Sequence, residues 1–472
     1  MPQQLTSVPP QYDLHFERPH FIGIGGSGMS GIARILAARG TKVSGSDVKD
    51  SPRLSALREI GVITHIGHDS GNLGDASTVI VSSAIEDDNP ELRAAQERGI
   101  TVLHRADALA MLMTGRRGVG VAGNAGKTST SAMLTTVARH AGIDPSFAFG
   151  AILHGFGTNA HHGEGPLFIA ETDESDSSFL RLTPDIAVIT NVSADDHMDV
   201  HPSAEHYVRA FDRFVDQVPE DGLVVAGIDD PGAALLADYA RRRVRVRTFG
   251  ESPDADLRLT DIAIDEKGTT YNAALDGESL PPVQLTVPGL HMALNSAAAL
   301  LTALELGISA SDAIEGLATY QGVSRRFEFK GKAQGIRVYD DFAHNPTKVR
   351  EQLRAARLVA APGRLIVVYQ PPRFLSAVRF TAEFGAALGQ ADEVLVLDIC
   401  RDWEKPIPGV TGELVADAVP LTRDRVTYCP ERPQVLPELA RRANPGDLVV
   451  TVGTGDVTKI GPEFLAYLQE TA

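Results

Sequence analysis

Short apolar runs alternate with helix-length amphipathic stretches along most of the chain, and this rhythm predicts layered α/β domains with largely parallel sheets. Runs at 20–25, 41–45, 79–83 and 101–104 predict a first series of strands, and 118–122, 167–171, 186–191 and 223–226 a second. Those at 336–340, 365–370, 393–398 and 448–453 predict a third. Residues 254–287 alternate polar with apolar between glycine-containing turns, as an antiparallel insertion does. The pattern breaks near 114–117 and 323–325, so three α/β domains are expected at 1–114, 115–324 and 325–472. No short repeat or low-complexity tract interrupts them.

Composition narrows the picture. A chain of 472 residues exceeds one hydrophobic core, and 43% hydrophobic with 22% charged residues is ordinary for a soluble protein. No apolar run reaches the roughly 20 residues that span a bilayer. The polar stretch 1–18 lacks the basic start and apolar core of a signal peptide, which predicts a cytoplasmic protein with a frayed tail. A net charge of −17 argues against a nucleic-acid face. Cys400 and Cys429 suit neither a disulfide framework nor a zinc spacing, and are expected as buried thiols.

Two glycine-rich loops carry candidate chemistry. Gly23, Gly25, Gly26 and Gly28 follow a predicted strand and open a helix, with Asp47 after the next strand where a ribose-binding acid would sit. Alone, that arrangement suggests a dinucleotide oxidoreductase using NAD. Its physical content is narrower: glycines let a diphosphate approach backbone amides at a helix N-terminus. The second loop, Gly123-Asn124-Ala125-Gly126-Lys127-Thr128-Ser129, also joins a strand to a helix. Its amides can cradle phosphate oxygens, Lys127 can reach the terminal phosphates, and the Thr128 hydroxyl can bind Mg²⁺. Only two residues separate its glycines, where the usual loop has four.

That shortened loop, about a hundred residues after the first, resembles the Mur ligases. Further segments carry the resemblance: HFIGIGGSGMSGIARIL (20–36), VSSAI (81–85), HRADALAMLM (104–113), GTNAHHG (157–163), ETDESDSSFL (171–180), ADDHMD (194–199), PGLHMALNSAAAL (288–300), GVSRRFEFKG (322–331), YDDFAHNPTK (339–348) and VGTGDV (452–457). The resemblance implies a Rossmann-like N-terminal domain binding a UDP-sugar, a central P-loop ATPase-like domain, and a Rossmann-like C-terminal domain presenting an amine. It implies an ATP- and Mg²⁺-dependent ligase of peptidoglycan biosynthesis that forms an amide through an acyl phosphate, as monomer or homodimer. ATP would be held by Gly123, Asn124, Gly126, Lys127, Thr128, Ser129, Asn295 and Arg326; the metal by Thr128, Glu174 and His197. The UDP-sugar would meet Gly25, Gly26, Gly28, Asp47, Ser83, His104, Arg105, His161 and His162. Catalysis would rest on Lys127, Arg326, Asp341 and His344, and the amine on Phe342, His344, Arg373 and Ser376.

Several positions depart from the family pattern. Asn124 and Ala125 stand where Thr and His are usual, Asn345 stands for a histidine, and Phe342 for a tyrosine. In 370–377, Pro372 and Ser376 replace a histidine and an arginine, leaving only Arg373. Losing one bidentate cation from a carboxylate site costs about 1.5–3 kcal/mol, tenfold or more in affinity. Cys400 and Trp403 also differ from the usual residues. The expectation is therefore a ligase whose amine is either an amino acid at reduced affinity or a different amine in a diverged paralog. An oxidoreductase would leave Lys127, Glu174 and Asn295 idle, and an inactive nucleotide-binding protein predicts ATP binding without turnover.

Overall fold

The computed structural model describes residues 16–174, 176–193, 203–400 and 405–470. Most of the expected polar tail, His197 and Trp403 lie outside the described residues. The chain forms two compact units: Met1–Asp261 with Tyr271–Val283 and Leu294–Tyr320, and Ile262–Thr270 with Gln284–Ala293 and Gln321–Ala472.

The first unit holds two sheets. The smaller one runs, in spatial order, Ile63–Ile66, Ser44–Asp47, Pro19–Ile22, Thr78–Val81, Thr101–His104, all parallel. Pro19–Ile22 and Thr78–Val81 are buried at every position, which is why they read as continuous apolar runs. The strand expected at 41–45 begins three residues later. Ile63–Ile66 was not anticipated: it is a short edge strand, with Ile63 and Ile66 more than half exposed, and so carries no core-facing alternation.

In the larger sheet, the parallel strands run Arg245–Gly250, Leu223–Gly227, Ile186–Ile189, Arg117–Ala122, Leu167–Glu171, Ser146–Leu153. Thr158–His161 folds back antiparallel at the edge. Arg245–Gly250, Ser146–Leu153 and Thr158–His161 add to the expected set; arginines or glycine break up the apolar pattern of the first two, and the third, TNAH, is short and mostly polar. The expectation for 254–287 needs correcting in part. Leu257–Asp265 continues the sheet parallel to Arg245–Gly250, whereas Gly268–Leu275 and Glu278–Ser279 form the antiparallel hairpin.

The second unit carries one sheet ordered Glu328–Ala333, Ile336–Asp341, Leu448–Gly453, Leu365–Gln370, Glu393–Leu397, Val426–Cys429, parallel except for the first strand. Its two faces bury separate clusters, one around Val367, Tyr369, Phe384 and Val450, the other around Val338, Ile366, Val449 and Phe464. Cys400 and Cys429 are free buried thiols, as expected. Among the described residues no helix is long and apolar enough to cross a membrane.

Candidate active site

Strand Arg117–Ala122 lies between Leu167–Glu171 and Ile186–Ile189, with Val121 opposite Glu171 and Ala122 opposite Ile189. Three parallel strand ends therefore share one edge, where α/β sheets bind ligands. The turn 123–126 leads from the middle strand into helix Lys127–His140, whose first turn carries no acid against an anion. Gly126 has φ +87°, and a Cβ there would lie 2.3 Å from Asn295 Oδ1, so glycine is what lets Asn295 lie against the loop.

Lys127 Nζ donates to the Gly123 carbonyl at 2.6 Å and to Glu174 Oε1 at 2.8 Å, with Oε2 at 2.7 Å. Burial works against the ammonium, but Glu174, Glu171 and Asp173 outweigh it and raise the lysine pKa, so the cation persists at neutral pH. The Thr128 hydroxyl donates to both Glu171 oxygens at 3.0 and 2.9 Å, and Glu171 also accepts from the Gly150 amide at 2.7 Å. Lysine, threonine and two carboxylates thus line the helix mouth.

The loop backbone is clasped from both directions. Asn191 accepts from the Ala125 amide at 2.9 Å and donates to its carbonyl at 3.0 Å, while the Thr190 hydroxyl donates to that carbonyl at 2.6 Å. Asn124 reciprocates: it accepts from the Ser193 amide at 2.6 Å, donates to the Ser193 carbonyl at 2.8 Å, and reaches the Tyr207 hydroxyl at 2.9 Å. A threonine carries its donor and acceptor on one oxygen and lacks the separate amide nitrogen and oxygen that this second clasp uses.

Around the first loop, Gly25 donates to Asp47 Oδ2 at 2.8 Å, and a Cβ there would lie 2.6 Å from Leu54 Cδ1. Asp47 therefore holds the loop. Arg105 passes over Gly28, Nη1 lying 3.0 Å from where a Cβ would sit, and pairs with Asp173 at 2.6 Å. Ser83 donates to Asp176 and contacts His104 Nε2 at 3.2 Å. Burial, with Arg105 and Arg181 assisting and Asp176 opposing, lowers the His104 pKa and keeps the imidazole neutral. One acidic loop thus faces two ways: Glu171 and Glu174 toward the P-loop, Asp173 and Asp176 toward Arg105 and Ser83.

In the second unit Arg325, at φ +61°, is tied inward: it pairs with Asp340 at 3.3 Å and donates to the Gly453 and Thr454 carbonyls at 2.5 and 3.1 Å. Arg326 lies over the Phe342 ring at 5.3 Å. Asp341 is buried, its oxygens accepting from the Phe327 and Ala343 amides at 2.7 Å each. Burial pushes its pKa up to about 6, against Arg326 and those two amides. His344 Nδ1 sits 2.9 Å from the Phe342 carbonyl, the ring packing edge-on to Phe342 at 5.1 Å. Asn345 caps helix Pro346–Ala360 through the Lys348 amide at 2.8 Å, so the departure there makes a good N-cap. Arg373, exposed, stands at the N-terminus of helix Phe374–Arg379, where Ser376 Oγ donates to its carbonyl at 3.1 Å.

Three domain profiles match successive parts of the chain: Mur ligase family, catalytic domain, at 18–117; Mur ligase middle domain at 121–303; and Mur ligase, glutamate ligase domain, at 325–455. The UDP-N-acetylmuramate–L-alanine ligases of Saccharopolyspora erythraea and Kineococcus radiotolerans are each 52% identical to it, covering 96% of this chain and 94% and 96% of theirs. The chain belongs to the Mur ligase family. The crystal structure of the UDP-N-acetylmuramate–alanine ligase MurC from Thermotoga maritima superposes with a TM-score of 0.81 at 28% identity, covering 96% of this chain and all of that one. This Mur ligase is an ATP-dependent, ADP-forming acid–amino-acid ligase that resembles those enzymes. The oxidoreductase and inactive-protein readings fall away.

Against that frame, the structure gathers Gly123, Gly126, Lys127, Thr128, Glu174 and Asn295 in one place, and Gly28, Ser83, His104 and Arg105 in a second. Ser129 is buried in the first turn of the P-loop helix. Asn124 points at Ser193 and Tyr207 and acts on the loop's shape. Gly25 and Gly26 lie in the first loop, Gly25 packed against Leu54 and Asp47. His161 contacts Asp144 at 3.1 Å and packs on Phe156, and His162 contacts Ser146 at 3.5 Å. Asp341 accepts from the Phe327 and Ala343 amides and so shapes the turn that presents His344. Glu171, Thr190 and Asn191 are not among the expected site residues. Glu171 ends a predicted strand beside the P-loop strand, which is the signal that would have found it.

Proposed function

We propose that this Mur ligase joins the carboxylate of UDP-N-acetylmuramate to the amine of L-alanine at the expense of ATP. The observation that carries the reading is the Lys127 ammonium held at the helix mouth by Gly123 and Glu174, a fixed cation where a terminal phosphate arrives. The names of the relatives at 52% identity supply the two substrates. Gly28 and Arg105 offer a helix N-terminus and a guanidinium to the UDP diphosphate.

In the first step a substrate carboxylate oxygen attacks the γ-phosphate; Lys127 stabilises the charge on the transferring group as ADP departs. The amine then attacks the acyl carbon, phosphate leaves and the amide remains. His344, oriented through the Phe342 carbonyl, takes up the amine proton, and Arg373 steadies the amino-acid carboxylate. Among the described residues no three His, Cys, Asp or Glu side chains gather to hold a metal on their own. The Thr128 hydroxyl and the Glu171 and Glu174 carboxylates nevertheless form a hard-oxygen set that fits Mg²⁺, which binds proteins through few ligands and completes its shell with phosphate oxygens and water. A Mg²⁺ held by these residues would neutralise part of the phosphate charge.

The test is ADP release with UDP-N-acetylmuramate against L-alanine, other amino acids and amines lacking a carboxylate. L-alanine should give the highest kcat/KM. Turnover with none of them sinks the donor assignment, and preference for a different amine sinks the acceptor.

A further inference from the structure

Glu91 opens helix Pro90–Glu97 and is fully buried in the smaller sheet's packing. Its carboxylate is surrounded by groups able to donate. Oε2 accepts from the Ser46 hydroxyl and lies 3.4 Å from His20 Nε2 and 3.6 Å from His68 Nδ1. Oε1 accepts from Asn72 Nδ2 at 2.6 Å and from the Asp69 amide at 3.2 Å. Donors from the Ser46 hydroxyl, Asn72 and the Asp69 amide, with His20 beside them, suit an acceptor-only group such as an ionised carboxylate, while His68 Nδ1 lies 2.9 Å from the Ser46 hydroxyl.

What Glu91 fixes is the end of strand Ser44–Asp47. Through its hydroxyl Ser46 is bound to Glu91; through its carbonyl it accepts from the Gly23 and Ile24 amides at 2.8 and 2.9 Å. The next residue, Asp47, takes the Gly25 amide at 2.8 Å. Three successive amides of the glycine-rich loop thus hang on two residues whose position Glu91 sets.

We infer that Glu91 is a positioning residue for the UDP-sugar: by anchoring Ser46 it fixes loop 23–26 and, through it, the N-terminal turn at Gly28 to which the diphosphate binds. This rests on reading that loop as the diphosphate site, so the experiment tests the two separately. In Glu91→Gln the amide nitrogen must face donors on one side or the other, and Ser46→Ala deletes only the linking hydroxyl. For both variants KM for the UDP-sugar and for ATP, kcat, and direct binding of UDP are measured, with Arg105→Ala as the independent probe of the site.

Glu91→Gln should raise KM for the UDP-sugar about tenfold, the loss of one hydrogen bond to a charged group, with kcat and KM for ATP within about twofold of wild type. Ser46→Ala should move the same constant in the same direction by about threefold, and it carries the test if Glu91→Gln does not fold. UDP affinity should fall in parallel. A residue important only for stability would lower the melting temperature and leave the ratio of the two KM values alone; that result overturns the proposal. If Arg105→Ala raises KM for the UDP-sugar while both other variants leave it unchanged, Glu91 loses its role and the site stands. If Arg105→Ala also leaves it unchanged, the site assignment fails with it.

Discussion

Removing the ammonium of Lys127 separates what that group does for stability from what it does for chemistry. Lys127→Met keeps the apolar stem and deletes the charge. Nζ touches the Gly123 carbonyl at 2.6 Å and both oxygens of Glu174 at 2.8 and 2.7 Å, and the Glu174 side chain is only 1% exposed. The single variant leaves a buried carboxylate without its partner, which costs about 3–5 kcal/mol. In a unit of this size that lowers the melting temperature by roughly 10 °C. Lys127→Met with Glu174→Gln removes both charges, and the neutral pair should come back to within about 1 kcal/mol of wild type, since buried ion pairs add little net stability over neutral replacements. Turnover behaves differently. Without the cation, charge on the transferring phosphoryl group goes unstabilised, and kcat falls by at least about 10²–10³ in both variants. Melting followed by circular dichroism and coupled ADP release read the two quantities on the same samples. A double variant that regains its melting temperature and also turns over within tenfold of wild type would refute the phosphate role of Lys127.

Arg325→Ala and Arg326→Ala should part company: the first loses bonds to Asp340, Gly453 and Thr454 and lowers stability, whereas the second melts normally and loses about 10³-fold or more in ADP release. Arg442→Ala should destabilise the second unit by about 3–5 kcal/mol in urea unfolding with KM for the UDP-sugar unmoved, because a 6%-exposed guanidinium there joins Glu438, Glu393, Thr427 and the Asp424 carbonyl at 2.6–2.9 Å. The Glu91 carboxyl, faced by His20, His68, Ser46, Asn72 and the Asp69 amide, has its pKa brought from 4.5 to about 2; burial opposes the shift, and the bonds from His20, Ser46 and Asn72 outweigh it. A lowered folded-state value means its stabilisation, on the order of 3 kcal/mol, is whole above pH 4.5 and drains away as pH falls toward 2, so urea midpoints should drop steeply across that window in wild type and less in Glu91→Gln.

Much of this was legible in the chain because parallel strands deliver their C-terminal ends to one edge. The runs at 118–122, 167–171 and 186–191 place the P-loop, the acidic loop and Asn191 together once they are seen as neighbours, and residue spacing alone identifies Lys127 and Thr128. Less legible was which residue of a motif faces the ligand and which holds the motif. Asp47 occupies the ribose-acid position of a dinucleotide fold yet binds the Gly25 amide. Asn124 stands in the nucleotide loop yet clasps Ser193, and Arg325, one residue from Arg326, is consumed by carbonyls more than a hundred positions away. Periodicity and spacing report on elements, whereas these choices are made by single hydrogen bonds between segments remote in sequence. They follow a common logic: a phosphate loop built largely of glycine and alanine has no side chains with which to fix itself. Its shape must be imposed by polar groups from neighbouring strand ends, Asn191 and Thr190 at one loop, Ser46 and Asp47 at the other. Substitutions at those four positions should therefore alter nucleotide binding although none of them has to touch a nucleotide.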